Sequence, residues 1–462
     1  LAAYIPAEYG GRGGRIRESL AVLETASYES LALGLTFGIN WALFLQPVAK
    51  HAREDVKSSV FARFLHDQAL GGLMITEPGH GTDALNMQTS FVEHADHYRI
   101  QGTKHWGGLT GMADYWLVAA RRQTAEGNLK RDINFFVCDS SIPEQTIEVE
   151  ELFENLGLYQ IPYGRNRVDV RVPRSQRLEP ASTGITMMLD MLHRSRMQFP
   201  GIGHGFIKRM LDEALAHCRD RIVGGRSLFG YDQVQQRLAR MQAAFTVSSA
   251  MCAHSSENAS VDEDLSSRGV EANSIKTVVS DMMQDAAQSL LQLVGAKGYR
   301  LDHVAGRATV DSRPFQIFEG SNDVLYAQIS EGIVKLMGRA RETNLYRFLT
   351  SYHLTSRASD YFREHLDFRV GELTQRRLVD LGRAVSRIVS MEWVIKLGDR
   401  GFRSDLIANG VATLREEIAA LLHTYSSRSD TNAVEDYESG SSWFSLVAPA
   451  ELIADPKGTR SQ

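Results

Sequence analysis

The spacing of apolar residues changes twice along the chain. From Ser19 to about Gln68, apolar positions recur at steps of three and four, which predicts helices. From Leu73 to about Leu178, short runs of β-branched and aromatic residues alternate with glycine, proline and asparagine, a pattern typical of short strands. Beyond Arg194 the helical spacing returns and dominates. The pattern predicts helices, a middle β domain, and helices again.

Two helices stand out after Arg194. One carries a single apolar stripe that faces a core: Ile207, Met210, Leu211, Ala214, Leu215, Cys218 and Ile222. Because Cys218 lies on this stripe, it is interpreted as a packing residue and not as a nucleophile. The second helix is predicted from about Ser274 to Val294, ended by Gly295. The polar, acidic residues from Glu257 to Gly269 predict a solvated connection between the two.

Further helices are predicted beyond Arg341. Their apolar stripe consists of Leu378, Leu381, Val385, Ile388, Val389 and Trp393. Burial in the core or against a partner subunit is the commoner reason for such a stripe, and a membrane-surface helix is the alternative. From about Thr424, serine, aspartate, asparagine, glycine and proline predict a partly irregular end.

Composition narrows the class of protein. The chain has 462 residues, 43% apolar and 23% charged, with a net charge of −5, so it is predicted to fold and has no basic footprint for nucleic acid. The three cysteines, Cys138, Cys218 and Cys252, show no metal or disulfide spacing, which favours a reducing cytoplasm and no metal site. No uninterrupted apolar run reaches spanning length, so no membrane span is expected. Since the chain begins at Leu1, we expect the native start to lie upstream.

Two glycine-containing segments in the β domain can approach a ligand. Residues 76–83 follow an apolar strand and combine Thr76 and Thr82 with two glycines, which would suit a planar, acceptor-rich cofactor edge. A decorated turn is the alternative. Residues 102–108 place Trp106 beside Gly107 and Gly108, so the indole either lies against a flat heterocycle or packs in the core.

Two later segments have phosphate-binding features. Arg226, in a loop with Phe229 and Gly230, can bind a phosphate through two hydrogen bonds, although surface arginines are common. Residues 292–298 end a helix with Gly295 and Gly298. This is ordinary C-terminal capping chemistry, and it also lets backbone approach a phosphate chain.

Residues 315–323 carry a candidate base. Glu319 follows an aromatic, apolar run and precedes Gly320 and Ser321, a plausible helix N-cap. A carboxylate against apolar walls has its charged form disfavoured and becomes a stronger base when a ligand excludes water. A solvated turn glutamate is the alternative.

Taken together and in order, these segments resemble the acyl-CoA dehydrogenase family. The matching stretches are residues 6–11, 76–83, 104–106, 170–173, 226–230, 292–298 and 318–320. The resemblance implies an α+β fold with an N-terminal helical domain (1–70), a middle β domain (71–180) and a C-terminal four-helix bundle (181–342). A helical extension (343–462) remains beyond these three.

The resemblance also implies FAD, bound between the middle and C-terminal domains. Thr76, Thr82, Trp106 and Gly108 would lie around the isoalloxazine, and Ser321 and Asp323 beside the cofactor. Arg226 and Phe229 would reach the FAD diphosphate of a neighbouring subunit, and Gln292 and Gly295 would line its other side. Each FAD site would then be shared between subunits.

The implied reaction is α,β-dehydrogenation of an acyl thioester. Glu319 would remove the α-proton while flavin N5 takes the β-hydride, and Arg196 would position the turn that contains Glu319 and Gly320. The implied partners are an acyl-CoA or acyl-carrier-protein thioester and an electron-transfer flavoprotein as acceptor. A flavin oxidase or monooxygenase on the same fold is the alternative. A DNA-protective flavoprotein is the third hypothesis, disfavoured by the negative charge.

The chain departs from the family pattern at several places. Gly108 replaces the usual hydroxyl residue, Leu158-Tyr159-Gln160 replaces an arginine-containing stretch, and Leu325 and Tyr326 occupy the region of a common arginine. The extension resembles that of the very-long-chain branch, so we expect a homodimer. Bulky Trp41 and Phe44, near Asn40, either shorten the acyl pocket or pack elsewhere.

Overall fold

The N-terminal helices follow the predicted apolar spacing but are divided into several pieces. The structure is a computed structural model that describes residues 1–427 and 431–446. The helices are α1 (Ile16–Glu29), α2 (Leu31–Gly38), a π-helical turn (Ile39–Leu45), α3 (Gln46–His51) and α4 (Glu54–His66). Ser30 separates α1 from α2 because its extended backbone breaks the helix, and its hydroxyl then accepts from the Leu33 amide at 3.3 Å.

The continuous helix of residues 31–51 is long and apolar enough to span a membrane, with a mean hydropathy of 1.4 in its most apolar window. The segment is not an uninterrupted apolar run, because Thr36, Asn40 and Gln46 lie within it without lowering its average hydropathy below that of a spanning helix. In this fold 72% of that window is buried inside the protein. Packing in the core therefore accounts for its hydropathy.

The middle domain is a seven-stranded sheet. Its strands are β1 (Gly71–Met74), β2 (Ser90–Glu93), β3 (His97–His105), β4 (Tyr115–Gln123), β5 (Leu129–Asp139), β6 (Glu148–Leu152) and β7 (Gly164–Pro173). The order is β1-β4-β2-β3-β7-β6, and β5 pairs with β4. Strands β1 and β2 run parallel to β4, and the other pairs are antiparallel. Alternating burial along β7 gives the sheet one core face and one exposed face.

The C-terminal helical region packs around α8. Its elements are α5 (Gly184–Arg196), α6 (Phe199–Asp220), the hairpin β8 (Ile222–Val223) and β9 (Arg226–Ser227), α7 (Asp232–Asn258), α8 (Gly269–Val294), α9 (Val304–Ser312) and α10 (Asn322–Ala340). Cys218 is fully buried on α6, as its stripe position predicted. The prediction was wrong for Ile222 of the same stripe, because α6 ends at Asp220 and Ile222 lies in β8, 59% exposed. The acidic connection before α8 is partly buried, since Leu265 is inaccessible and Arg194 binds the carbonyls of Ser260 and Glu263.

The extension begins with α11 (Leu345–Ser351), α12 (Arg363–Leu366), α13 (Gln375–Asp399) and α14 (Ser404–Ser426). Helix α13 buries the predicted stripe and packs against α7, α8 and α10. Contact with α10 is close at Gly382, where an added Cβ would lie 1.9 Å from the Tyr326 carbonyl oxygen. Ser330 also donates to the Leu378 carbonyl at 2.6 Å. Helix α13 thus belongs to the same core as α7, α8 and α10.

The chain divides into one unit of residues 1–425 and a second of residues 426–462. In the described part of the second unit, residues 431–442 form turns and irregular backbone, followed by the short helix α15 (Trp443–Leu446). The predicted irregular end is thus confirmed for these residues, and the rest of it lies outside the described residues. The predicted order of helices, sheet and helices is confirmed.

Candidate active site

The turn between α9 and α10 holds Glu319 in a left-handed backbone conformation. Its φ is +54°, and that of Gly320 is +95°. This region is uncommon for any residue with a side chain, so surrounding contacts must hold the turn in place. An added Cβ at Gly320 would lie 2.9 Å from Leu325 Cδ2, which explains glycine there.

The Glu319 carboxylate is hydrogen-bonded through only one of its two oxygens. Its Oε1 accepts from Ser195 Oγ at 2.9 Å, whereas Oε2 is buried and has no hydrogen-bond partner. Burial raises the pKa of Glu319, although Arg196, the Ser195 hydrogen bond and Lys276 oppose that shift. An unpaired, desolvated carboxylate oxygen is a proton acceptor whose partner must come from a ligand.

Two cationic side chains bind consecutive carbonyls of this turn. Arg196 Nη2 donates to the Glu319 carbonyl at 2.6 Å, and Lys276 Nζ donates to the Gly320 carbonyl at 2.8 Å. Burial lowers the pKa of Arg196 to about 10 and that of Lys276 to about 7. Arg194 is not interchangeable with Arg196, because it binds Asp190 and the carbonyls of the 259–263 loop. Sequence reasoning singled out Arg196 but missed Lys276 and Ser195.

Trp106 lies at the surface of the sheet and not in the core. Its side chain is 56% exposed, its φ is +56°, and its ring lies 4.6 Å from that of Phe153. The preceding amide, that of His105, donates to the Thr76 carbonyl at 2.8 Å, which brings the two predicted segments side by side. The core interpretation of Trp106 is therefore excluded. An exposed indole at a strand end can lie against a flat ligand.

The loop after Thr76 leaves backbone open to a ligand. No atom lies within 4 Å of a Cβ added at Gly79 or Gly81, and Thr82 is exposed. Below this loop, Lys104 Nζ binds Glu77 Oε1 at 2.8 Å with both side chains buried. Sequence analysis passed over this ion pair, because burial of two charges has no signal in local spacing.

A side chain at Gly108 would displace the end of the Ile39 side chain. A Cβ there would lie 2.8 Å from Ile39 Cδ1, on the π-helical turn, and 3.5 Å from the Tyr163 ring. A hydroxyl residue at this position would therefore require Ile39 to adopt another side-chain conformation. The nearby Thr110 hydroxyl donates to the Gly107 carbonyl at 2.7 Å and is buried.

Serine at Gly108 is expected to destabilise the protein by about 1 kcal/mol, the low end of the range for overpacking, since the terminal methyl of Ile39 must move. The same substitution at Gly107, where the nearest atom to a Cβ is at 3.5 Å, is expected to cost less. Urea unfolding of both variants measures the difference. Replacing Ile39 with valine, which lacks Cδ1, should reduce the penalty of Gly108→Ser in a double-mutant cycle; equal penalties in both backgrounds would contradict this account.

The other predicted cofactor residues lie on exposed segments. Arg226 is on the β8–β9 hairpin, with its guanidinium 3.8 Å from the centre of the Tyr231 ring, and Phe229 follows it half-buried. Gln292 and Gly295 are exposed at the end of α8. Within residues 1–427 and 431–446, no hydrogen bond or ring contact joins these four residues to the Glu319 turn.

Ser321 and Asp323 lie at the N-terminal end of α10. Ser321 occupies the predicted N-cap position of α10, although its hydroxyl makes no capping hydrogen bond. Asp323 is exposed and pairs with Arg383 of α13 at 2.9 Å. Where the family's common arginine is missing, at Leu325 and Tyr326, the guanidinium of Arg387 reaches the Tyr326 hydroxyl from α13.

The bulky residues of the early helices pack in the core. Trp41 stacks on Tyr4 with ring centres 5.1 Å apart, and Phe44 stacks on Phe64 at 5.5 Å. Asn40 is structural as well, because its Oδ1 accepts from the Gly71 amide at 2.8 Å. Of the two alternatives, packing elsewhere is the one the structure shows.

Three family models match the chain in succession. They describe the N-terminal domain of acyl-CoA dehydrogenases for residues 1–67, the middle domain for 72–169 and the C-terminal domain for 182–334. Together they cover more than half of the chain. Residues beyond 334 lie outside these matches.

Individual proteins of known sequence or structure are also similar to this chain. The chain is 25% identical over 327 residues to the mouse mitochondrial very long-chain specific acyl-CoA dehydrogenase, covering 70% of this chain and 49% of that enzyme. It is 24% identical over 336 residues to an acyl-CoA dehydrogenase of Bacillus subtilis, covering 71% of this chain and 85% of the other. A Bacillus anthracis acyl-CoA dehydrogenase solved with FAD superposes at a TM-score of 0.76 and 17% identity, covering 94% of this chain and 85% of that one.

Proposed function

Because the matches of all three domain models succeed one another along residues 1–334, the chain belongs to the acyl-CoA dehydrogenase family, and we propose that it carries out FAD-dependent α,β-dehydrogenation of an acyl thioester. The observation that carries this proposal is the buried, unpartnered Oε2 of Glu319, beside an Oε1 held by Ser195. The chain spans about half the length of the very-long-chain relative, so the activity is inferred from this site and not from that enzyme's name.

The residues around the sheet end fit a flavin. The exposed Trp106, the adjoining Thr76 segment and the open backbone at Gly79 and Gly81 offer a flat apolar surface beside uncovered polar backbone. Thr76, Thr82, Trp106 and Gly108 would hold the ring system, with Ser321 and Asp323 beside it. When bound, FAD supplies the acceptor for the hydride that leaves the substrate β-carbon.

The residues of this chain then remove one proton from the α-carbon of the substrate. A bound acyl chain excludes water from Glu319, and its α-carbon proton is taken up at Oε2, the oxygen without a partner. Ser195 fixes the carboxylate through Oε1, while Arg196 and Lys276 hold the turn's two carbonyls so that Oε2 keeps its direction. The pKa of Glu319, raised by burial, makes the carboxylate a stronger base than a solvated glutamate.

We infer a homodimer in which the subunits share each FAD. Support comes from the exposed segments that carry Arg226, Phe229, Gln292 and Gly295. Large apolar side chains next to them are exposed, with Tyr299 and Leu301 at 85% and Ile222 at 59%, as at a subunit contact. Sedimentation equilibrium should give a dimer. A monomer that retains FAD would contradict the shared site, and a tetramer would contradict the homodimer.

The decisive experiment uses purified full-length protein reconstituted with FAD. Anaerobic titration with acyl-CoA thioesters of increasing chain length, and with acyl-carrier-protein thioesters, should bleach the flavin with at least one of them. Reoxidation should require an electron-transfer flavoprotein or an artificial acceptor. Rapid oxygen consumption during turnover would favour the oxidase alternative, and no bleaching by any thioester would contradict the proposed function.

A further inference from the structure

The segments on both sides of the Glu319 turn meet at a single carboxylate. Asp281 of α8 accepts at Oδ1 from Gln316 Nε2, three residues before Glu319, and from Asn322 Nδ2, three residues after it, both at 2.7 Å. We call Gln316, Asn322 and Asp281 the turn clamp. Because one oxygen accepts hydrogen bonds from residues on both sides of the turn, the position of Asp281 fixes the distance between Gln316 and Asn322.

The turn clamp continues into the turn itself. Asn322 Oδ1 accepts from Lys276 Nζ at 2.9 Å, and the same ammonium donates to the Gly320 carbonyl at 2.8 Å. The Asn322 amide is therefore held in one orientation, with its Nδ2 toward Asp281 and its Oδ1 toward Lys276. Any change that lets this amide rotate removes the acceptor of Lys276 and loosens the Gly320 carbonyl.

The counter-charge of Asp281 comes from the extension. Arg387 of α13 donates through Nη2 to Asp281 Oδ2 at 2.7 Å and through Nε to Glu417 Oε1 at 2.8 Å. Its Nη1 donates to the Tyr326 hydroxyl, which in turn donates to Asp281 Oδ2. The Arg387 side chain is only 8% exposed and that of Asp281 22%, so the pair is shielded from water.

We propose that Arg387 is a positioning residue, through which the C-terminal extension holds the Glu319 turn in its reactive geometry by way of the turn clamp. Arg387 touches neither the turn nor its carboxylate. It acts by keeping Asp281 ionised and in place, since a buried carboxylate that loses its cation takes up a proton and offers fewer acceptor sites. The extension is then needed inside each active site, in addition to any role in assembly.

The left-handed backbone of the Glu319 turn requires contacts that hold it in place. A positive φ is unfavourable for Glu319, which has a side chain, so the turn relaxes when its supports are removed. Arg196 and Lys276 supply two supports, and the turn clamp orients the second. In a relaxed turn Glu319 Oε2 would point in another direction, while the surfaces proposed to bind FAD and substrate would stay unchanged.

Hydrogen exchange on the FAD-loaded dimer tests the structural step. In Arg387→Met, amides of residues 316–322 should exchange about tenfold faster than in the parent, with α13 itself little changed. Arg387→Lys, which keeps the charge, should restore most of the protection. The matched control is Arg400→Met at the end of α13, whose pair with Glu257 is half-exposed and should leave the turn unaffected. Unchanged exchange at 316–322, or equal loosening along all of α13, would overturn the proposal.

Measuring the rate of flavin reduction separately from substrate binding tests the effect of Arg387 on the reaction. This test rests on the proposed function. Per bound flavin, Arg387→Met should slow reduction by a saturating acyl thioester about tenfold or more, with little change in the substrate's dissociation constant. Equal losses in binding and rate would overturn the positioning role. If Arg387→Met does not fold, the charge-neutral pair Asp281→Asn with Arg387→Met replaces it, because the side-chain amide oxygen then present at position 281 remains an acceptor for the clamp. If no thioester reduces the parent, the proposed function fails, while the exchange data still decide the clamp.

Discussion

Glutamine at Glu319 is expected to slow flavin reduction by an acyl thioester by a factor of about 10²–10⁴, the range that a positioned general base contributes. The amide cannot accept the α-proton, yet it keeps an oxygen for the Ser195 hydroxyl and nearly the same shape. FAD content and thermal stability should therefore stay close to those of the parent. Anaerobic stopped-flow absorbance measures the rate directly.

The matched control for this variant is Glu257→Gln. Glu257 lies at the end of α7, half-exposed and paired with Arg400, so its substitution should leave the reduction rate unchanged. A Glu319→Gln protein that reduces its flavin at the parental rate would remove Glu319 from the role of base. A variant that loses FAD would show that the carboxylate is needed for assembly of the site.

The pH dependence of the same step follows from the Glu319 environment. Because burial raises the pKa of Glu319, the rate should increase with pH over a range above that of an ordinary glutamate. Replacing Ser195 with alanine removes a hydrogen bond that lowers this pKa, so the rising limb should move to higher pH. A shift to lower pH in Ser195→Ala would contradict the assignment. Stopped-flow measurements across the pH range provide both curves.

Much of the fold was predictable because it depends on local periodicity. The change from helical to strand spacing near Leu73 corresponds to the start of the sheet at β1. The return to helices was predicted too late, because α5 already begins at Gly184 and Arg194 lies near its end. The interpretation of Cys218 as a packing residue also follows from spacing alone and agrees with its burial. Such features need only the burial of one face of each element.

The site was predictable only where short motifs carry it. Glu319, Gly320 and Arg196 come together as the family resemblance implied, with the Arg196 guanidinium on the turn's carbonyl. Ser195 and Lys276 were missed because a serine and a lysine on helices have no distinctive local signal. Their meeting at the turn joins positions that are 124 and 44 residues apart in sequence.

The sequence could not show whether Trp41 and Phe44 line a pocket or pack in the core. Trp41 and Phe44 have the size and location to line a pocket, but Tyr4 and Phe64 provide stacking partners that hold them in the core. The continuous helix that carries them has the average hydropathy of a membrane span, and only its burial explains that value. Both outcomes depend on tertiary contacts between distant segments.

Methionine at Lys104 is expected to destabilise the protein by about 3–5 kcal/mol, because it leaves the Glu77 carboxylate buried without its cation. Lys104 Nζ also binds the Ile75 carbonyl at 3.0 Å, just before Thr76, so the loss should extend to the loop predicted to hold FAD. Urea unfolding gives the stability, and flavin released on dilution reports the loop. Lys130→Met, an exposed lysine of the same sheet, is the control and should change stability by less than about 0.5 kcal/mol.

Charge, and not side-chain volume, should account for that loss. Glu77 Oε2 and Oε1 accept from the backbone amides of Gln88 and Thr89, at 2.5 and 2.9 Å, and the oxygen of a glutamine can keep one of these bonds. Adding Glu77→Gln to Lys104→Met should therefore recover part of the stability, whereas additive losses would indicate that cavity formation dominates.

The pH dependence of the Lys104→Met penalty separates the same two causes. In the parent, burial tends to raise the pKa of Glu77, but Lys104 and the hydrogen bonds from Thr89 and Gln88 lower it overall. The parent's pair therefore stabilises the fold above the ordinary glutamate range, and this contribution is lost as pH falls through the lowered pKa of Glu77. At the alkaline end the ion pair is lost as Lys104 deprotonates, because burial lowers the pKa of Lys104 to about 8. In Lys104→Met, burial acts without the cation, so the variant loses stability as pH rises through a raised pKa. The two unfolding free energies should converge between neutral pH and about pH 4, since protonation removes the unpaired charge. A gap that widens on acidification would show that Lys104 stabilises the sheet by packing alone.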